Sequence, residues 1–455
     1  MERQENKMGV MPVKKLIITM SLPMMLSMLV QALYNVVDSI FVAQISENAL
    51  TAVMLAFPMQ NLMIAVGSGT GVGINALLSR SLGEKRFRRA DEAANTGLFL
   101  TFLSFVTFLL IGLFGAKAFV RTQTDVEEII VYGSTYLRIV SCLSVGLFFQ
   151  MTFERLLQST GRTVQSMISQ GTGAIINIIF DPIMIFGLFG FPRLGVAGAA
   201  YATVLGQFVA AVLGLFMNLR INRDIHISMQ DILHPSREII GMIYYVGVPS
   251  ILMMSIGSIM TYAMNRILIT FSTTAAAVFG VYFKLQSFFF MPVFGLNNGL
   301  IPVLAYNYGA RRRDRIEEAL KFAMCLAVGI MLVGVAVFEL FPGTLLDLFN
   351  ASDQMKEIGI PALRIICTCF PVAAVCIVMG STFQAFSQSI NSLIVSVGRQ
   401  LVVLIPAAWL LAQTGVLRNV WFAFPIAEVM SLALSIVLFR RLHAKMILPL
   451  SEDVL

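Results

Sequence analysis

One pattern occurs twice in this chain at a fixed separation, and it restricts the fold more than any single motif does. Pro23 recurs as Pro249, Ser81-Leu82-Gly83 as Asn307-Tyr308-Gly309, Asp91-Glu92-Ala93 as Glu317-Glu318-Ala319, and Leu137-Arg138-Ile139 as Leu363-Arg364-Ile365, at a constant offset (249 − 23 = 309 − 83 = 363 − 137 = 226). A register kept over most of two halves implies one duplicated structural unit. The chain is 57% hydrophobic and only 13% charged, against about 45–50% and 25% in soluble domains, so that unit belongs in a lipid bilayer.

Stretches apolar and long enough to span, about 20 residues each, read near 15–42, 52–79, 92–117, 130–154, 164–189, 195–219, 239–269, 275–305, 317–341, 358–384, 390–412 and 419–439. The expected fold is an all-α integral membrane protein with twelve transmembrane helices in two six-helix lobes. An even number per half returns the chain to the side it started from, which predicts lobes related by a pseudo-twofold axis along the membrane normal. The longest polar segment separates the halves and sets the expected boundaries: an amino-terminal, cation-binding lobe over 1–222, an inter-lobe loop over 223–238 and a carboxy-terminal lobe over 239–455. Turn residues in Asp231–Pro235 allow a short amphipathic helix on the membrane surface there.

Lys and Arg concentrate in the first tail, in the loops Lys85–Arg89, Arg220–Arg237 and Arg311–Arg315, and in the last tail with Arg440, Arg441 and Lys445. The positive-inside rule places these segments and both termini in the cytoplasm, for a multi-pass protein of the cytoplasmic (inner) membrane. The net charge of +7 records this topology and not nucleic-acid binding. The first span is expected to act as its own insertion signal. Cys142, Cys325, Cys367, Cys369 and Cys376 all fall in apolar segments and read as small buried packing residues, while His226, His234 and His443 lack metal-ligand spacing. Short loops leave no room for a nucleotide-binding domain, and the sequence has neither a GxxxxGK[ST] stretch nor an HExxH pair. The expectation is a non-enzyme without cofactor, driven by an ion gradient or by its substrate's own gradient.

Ionisable groups inside a span cost at least about 2.5–3.5 kcal/mol near its centre, so each one is a functional candidate. Asp38 lies deep in the first span, with Tyr34 one helical turn before it; Asp181 lies in the fifth, with Asn177 one turn before it. Pro182 also leaves the Ile178 carbonyl without its usual donor. Two carboxylates, a carboxamide and hydroxyls such as Thr203 on the sixth span suit either a dehydrated Na⁺, as the metal ligands Asp38, Asn177, Asp181 and Thr203, or a shared proton. The structural alternatives are a helix-end cap for Asp181 and a buried Arg partner for Asp38. Carried through the offset, Asp38 falls on Met264, Asn177 on Val403, Asp181 on Ala407 and Thr203 on Val429. The scaffold repeats, but the polar cluster does not.

These residues carry a resemblance. Pro23 followed by Tyr34 and Asp38, the glycine-rich second span leading to Gly83, Asn177 with Asp181, Gly195 to Thr203, and Tyr306-Asn307-Tyr308-Gly309 together resemble the multidrug and toxic compound extrusion (MATE) family over nearly the whole chain. The resemblance implies coupling of H⁺ or Na⁺ at Asp38 and Asp181, with Asn177, Thr203 and Tyr34 in support and Pro23 as a hinge. It implies export of amphipathic, often cationic organic compounds; the expected mechanism is antiport by alternating access, with substrate entering from the cytoplasm or inner leaflet and the lipid bilayer surrounding a monomer. The acids that some relatives use on the seventh and tenth spans are missing here. Met28, Asn35, Met260, Met264, Lys284, Gln286 and Phe290 are candidates to line a substrate cavity, since thioethers and aromatic faces suit varied cations. Arg266 and Arg399 read as snorkelling or as partners of Glu154, Glu339 or Glu428. The rival reading is a flippase for a lipid-linked or polysaccharide precursor.

Overall fold

The computed structural model describes residues 5–450, and every regular element among them is helical. The spans are Val13–Ala43, Glu47–Gly83, Phe87–Arg121, the pair Glu127–Cys142 and Val145–Ser159, Thr163–Phe186, Val196–Arg220, Arg237–Ile269, Thr273–Gly309, Arg313–Leu340, the pair Asp353–Cys367 and Phe370–Ala385, Ser389–Ala412, and Leu417–Ile447. Counting each bent pair as one, these are the twelve apolar stretches expected from the sequence.

Hydropathy alone suggests continuous helices for the fourth and tenth spans, but these bend by 47° and 50°. The breaks are repeat-related, yet their local causes differ. In the tenth span Pro371 opens the second segment and has no N–H to continue the ladder. The fourth span has no proline there; instead Gly112 of the third span lets Ser141 and Cys142 approach so closely that an added Cβ would sit 2.7 Å from Ser141 Cβ. In the eleventh span a π-helical turn, Gly398–Leu404, precedes Pro406.

Contacts divide the chain into two units. The first joins the segment ending at Lys7 to Leu26–Ile251, and the second joins Met8–Met25 to Leu252 and the residues beyond. This division differs from the loop-based one at 223–238: it cuts through the first and seventh spans, just past Pro23 and Pro249. Glycine spacing accounts for it. On the second span Gly67 and Gly71 face the fourth span, under Met151 and Arg155, whereas Gly69 and Gly73 receive the seventh span, with an added Cβ 2.2 Å from Ile243 O at Gly73. Only the latter two recur, as Gly295 and Gly299, and there they receive Met20, Ser21, Met24 and Met25 of the first span. Close helix contact through small residues thus seats one exchanged half-helix in each unit.

Within the first unit, Phe108 stacks on Phe148 at 5.5 Å in a core with Val140, Ile185 and Ala199. The second unit is built around an aromatic cluster in which Phe338 packs edge-on against Tyr282, Phe289 and Phe370. Its Arg399 pairs with Glu428 at 3.4 Å, both largely buried, which is one of the partners expected for it. Arg266 is exposed. Four cysteines are buried or half-buried as expected, but Cys325 is exposed on the ninth span. The segment between the halves contains a five-residue helix, Met229–Leu233, and is tied to the third span: Asn95 Nδ2 donates to His226 O, Ser228 N to Asn95 Oδ1, and His226 N to Asp91 Oδ1.

Candidate functional site

The first unit assembles the polar cluster from the first, fifth and sixth spans. Gly173 and Gly206 let the fifth and sixth spans touch backbone to backbone; a Cβ on Gly206 would lie 2.5 Å from Gly173 O. That approach brings Asn177 Nδ2 to Thr203 Oγ1 at 3.3 Å, while the Thr203 hydroxyl donates to Ala199 O at 3.0 Å. The first span is stitched to the fifth by Gln170 Nε2 donating to Gln31 Oε1 at 3.0 Å. Two turns beyond Gln31, the Asp38 carboxyl lies beside that of Asp181.

Asp181, Asn177 and Thr203 are buried, at 0%, 3% and 3% exposure, and Asp38 is half-buried. Asp181 and Pro182 lie inside the helix Thr163–Phe186, so Asp181 does not cap its end. Neither carboxyl has an ion-pair partner among the described residues. Asp38 Oδ1, both Asp181 oxygens and Asn177 Oδ1 are buried without a donor. Four acceptor oxygens with no donor form a site complementary to a small positive charge, since two facing carboxylates need a proton or a cation between them.

Tyr34 flanks both carboxyls. So does Tyr136 of the fourth span, 2% exposed, which the residue-by-residue reading missed. A signal was available: its repeat counterpart is Ala362 (136 + 226), the same polar-to-apolar change that marks the other cluster members. No group of three His, Cys, Asp or Glu residues suited to a metal occurs among the described residues, so any cation here would rest on two carboxylates and neutral oxygens.

The expected cavity residues are divided between the two units. Asn35 and Met28 belong to the first unit, exposed and half-buried respectively; Met260, Met264, Lys284, Gln286 and Phe290 belong to the second. Met264 is fully buried and Met260 is 8% exposed, so in this conformation their thioethers present almost no open surface. Phe290 packs edge-on against Phe370 at 5.3 Å. Lys284 is exposed and has no acid within ion-pair distance among the described residues. Glu154 is buried and accepts from Gln150 at 2.9 Å, and Glu339 lies 4.0 Å from Arg364.

A family model described as MatE matches residues 23–183 and again residues 249–410, so the two matches begin at the repeat offset. Similar proteins include multidrug export protein MepA of Staphylococcus haemolyticus, 26% identical over 413 residues, covering 90% of this chain and 89% of that one. The FAD transporter of Shewanella oneidensis is 25% identical over 427 residues, covering 92% of each. A solved structure of a multidrug resistance MATE family transporter of the MOP superfamily in an outward-facing conformation is 28% identical, with a TM-score of 0.92 over 98% of this chain and 99% of that one. With both halves matched and the whole fold shared, the chain belongs to the MatE family of membrane transporters.

Proposed function

We propose that this transporter exports amphipathic, often cationic organic compounds in exchange for H⁺ or Na⁺ entering at Asp38 and Asp181. The observation that carries the reading is the set of four donor-free oxygens on Asp38, Asp181 and Asn177. Asp38 and Asp181 hold the incoming charge between their carboxylates, Asn177 and Thr203 supply neutral oxygens, and Tyr34 and Tyr136 wall the site. Coupling requires the cation and the organic substrate to prefer different states, because a ligand with equal affinity for both shifts nothing. Pro23 and Pro249 sit two residues from the points where the first and seventh spans pass between units, and each lacks the N–H that would stiffen the helix there. They are the hinges of an alternating-access cycle. Exposed Lys284 tunes charge preference among substrates, so an unchanged substrate profile in Lys284→Ala would remove that role. The names of the relatives support small organic cargo.

The decisive measurement is dye efflux in inside-out vesicles under separately imposed H⁺ and Na⁺ gradients. Wild type should respond to one of them and Asp38→Asn to neither. Uphill efflux at the normal rate in Asp38→Asn would reject the assignment.

A further inference from the structure

The duplicated scaffold contains its own control at the corner where the second span turns into the third. The equivalent turn joins the eighth span to the ninth, and the two match in backbone detail. Lys85 and Arg311 both have positive φ, 57° and 59°, and Arg86 N and Arg312 N close the turn on Ser81 O and Asn307 O at 2.9 Å each. The surroundings differ. In the second unit Arg315 is buried, and its guanidinium makes three bonds to oxygen: Nη2 donates to Met8 O at 2.9 Å and Met11 O at 2.8 Å, and Nε to Asn307 Oδ1 at 3.0 Å. Its counterpart Arg89 (315 − 226) has, among the described residues, only the Met242 thioether, 2.9 Å from Nη2, and a thioether is a weak acceptor. The seventh span reaches this corner with Glu238 and Ile239 but gives Arg89 no oxygen among the described residues. Instead a cavity of about 640 Å³ opens there, and Lys85, Arg86, Arg88 and Arg89 outnumber Glu92 and Glu238 around it. Arg88 is taken up by Glu92 at 3.3 Å and Arg86 approaches Glu84 at 3.7 Å, whereas Lys85 has no partner among the described residues.

We propose that this open corner is a binding site for a phosphate oxyanion, whose oxygens take the place that the Met8 and Met11 carbonyls occupy in the second unit. Basic pockets at the ends of spans recognise anionic headgroups in this way, and guanidinium matches phosphate geometry. Phosphate could come from a phospholipid headgroup or from a soluble phosphate.

The test uses the full-length protein in nanodiscs of phosphatidylcholine with increasing phosphatidylglycerol, and native mass spectrometry to count retained lipids. Wild type should retain phosphatidylglycerol preferentially. Lys85→Gln/Arg89→Gln should lower that retention roughly 10- to 30-fold, and exposed Lys85→Gln alone, which leaves the Arg89–Met242 packing intact, a few-fold. Arg311→Gln, the same change at the filled corner, should have no effect. Displacement of the lipid by millimolar inorganic phosphate assigns the site to a soluble anion; its failure to displace assigns the site to the headgroup. Equal retention of both lipids with no phosphate effect, or an Arg311→Gln loss equal to that of Lys85→Gln, overturns the proposal.

Discussion

Gly206→Ala isolates the link between helix packing and the proposed cation site. The added Cβ would stand 2.5 Å from Gly173 O and 3.3 Å from Asn177 Cβ. Since Gly173 O is a backbone atom, no side chain can rotate away to make room. Ordinary contact begins at 3.4 Å, so the fifth and sixth spans must part by 0.9 Å (3.4 − 2.5). The same displacement would stretch the Asn177–Thr203 hydrogen bond from 3.3 Å to beyond hydrogen-bonding range. Overpacking of this kind costs about 1–3 kcal/mol of stability, and misplacing a functional group by about 1 Å reduces rates on the order of 10- to 100-fold. Thermal unfolding of the purified protein and gradient-driven dye efflux should therefore fall together. Gly171→Ala is the control: it lies on the fifth span, two residues before Gly173, with no atom within 4 Å of the new Cβ, so it should be neutral or stabilise by up to about 1 kcal/mol. If Gly206→Ala keeps wild-type melting and efflux, the backbone contact does not set the site geometry.

Asn177→Ala removes one oxygen but leaves both carboxylates, so the half-saturating concentration of the coupling ion should rise about fivefold with little change in maximal rate; an unchanged half-saturation would exclude Asn177 as a ligand. Removing one member of the largely buried Arg399–Glu428 pair, as in Arg399→Gln, should destabilise by about 3–5 kcal/mol, whereas Arg399→Met/Glu428→Leu should recover most of the loss in a melting assay. Asn95→Ala deletes two hydrogen bonds to the inter-half segment, each worth about 1 kcal/mol. Trypsin should then cut faster at exposed Arg223 and Arg237, and an unaltered digestion rate would show that Asp91 alone holds the segment.

The sequence carried the spans and most of the site because membrane burial leaves a strong signature. Twelve apolar runs cannot be mistaken for loops, and Asp38, Asn177, Asp181 and Thr203 stand out where a polar side chain is costly. Tyr136 escaped because tyrosine is unremarkable in a span, and only its alanine counterpart distinguishes it. The bend at Leu143–Ser144 was invisible because its cause, Gly112, sits on another helix. The bend before Phe370 was foreshadowed by Pro371. Pairing of Arg399 with Glu428 was foreseeable, since both had to be neutralised inside the membrane. Polar composition marked the loop at 223–238 as a natural seam, but contact division depends on which glycines accept which half-helix, and spacing on one strand of sequence does not reveal the partner.

The exchanged half-helices also bear on biogenesis. The first unit lacks its last half-helix until the ribosome has reached Ile251, and Met8–Met25 belong with residues translated long after them, from Leu252 on. Neither half can mature as the nascent chain delivers it. The Met8–Met25 half-helix is made well before Gly295 and Gly299, the glycines that receive it. Carrying both repeats in one chain guarantees that each half-helix and the unit that receives it arrive in the same membrane and in equal amount.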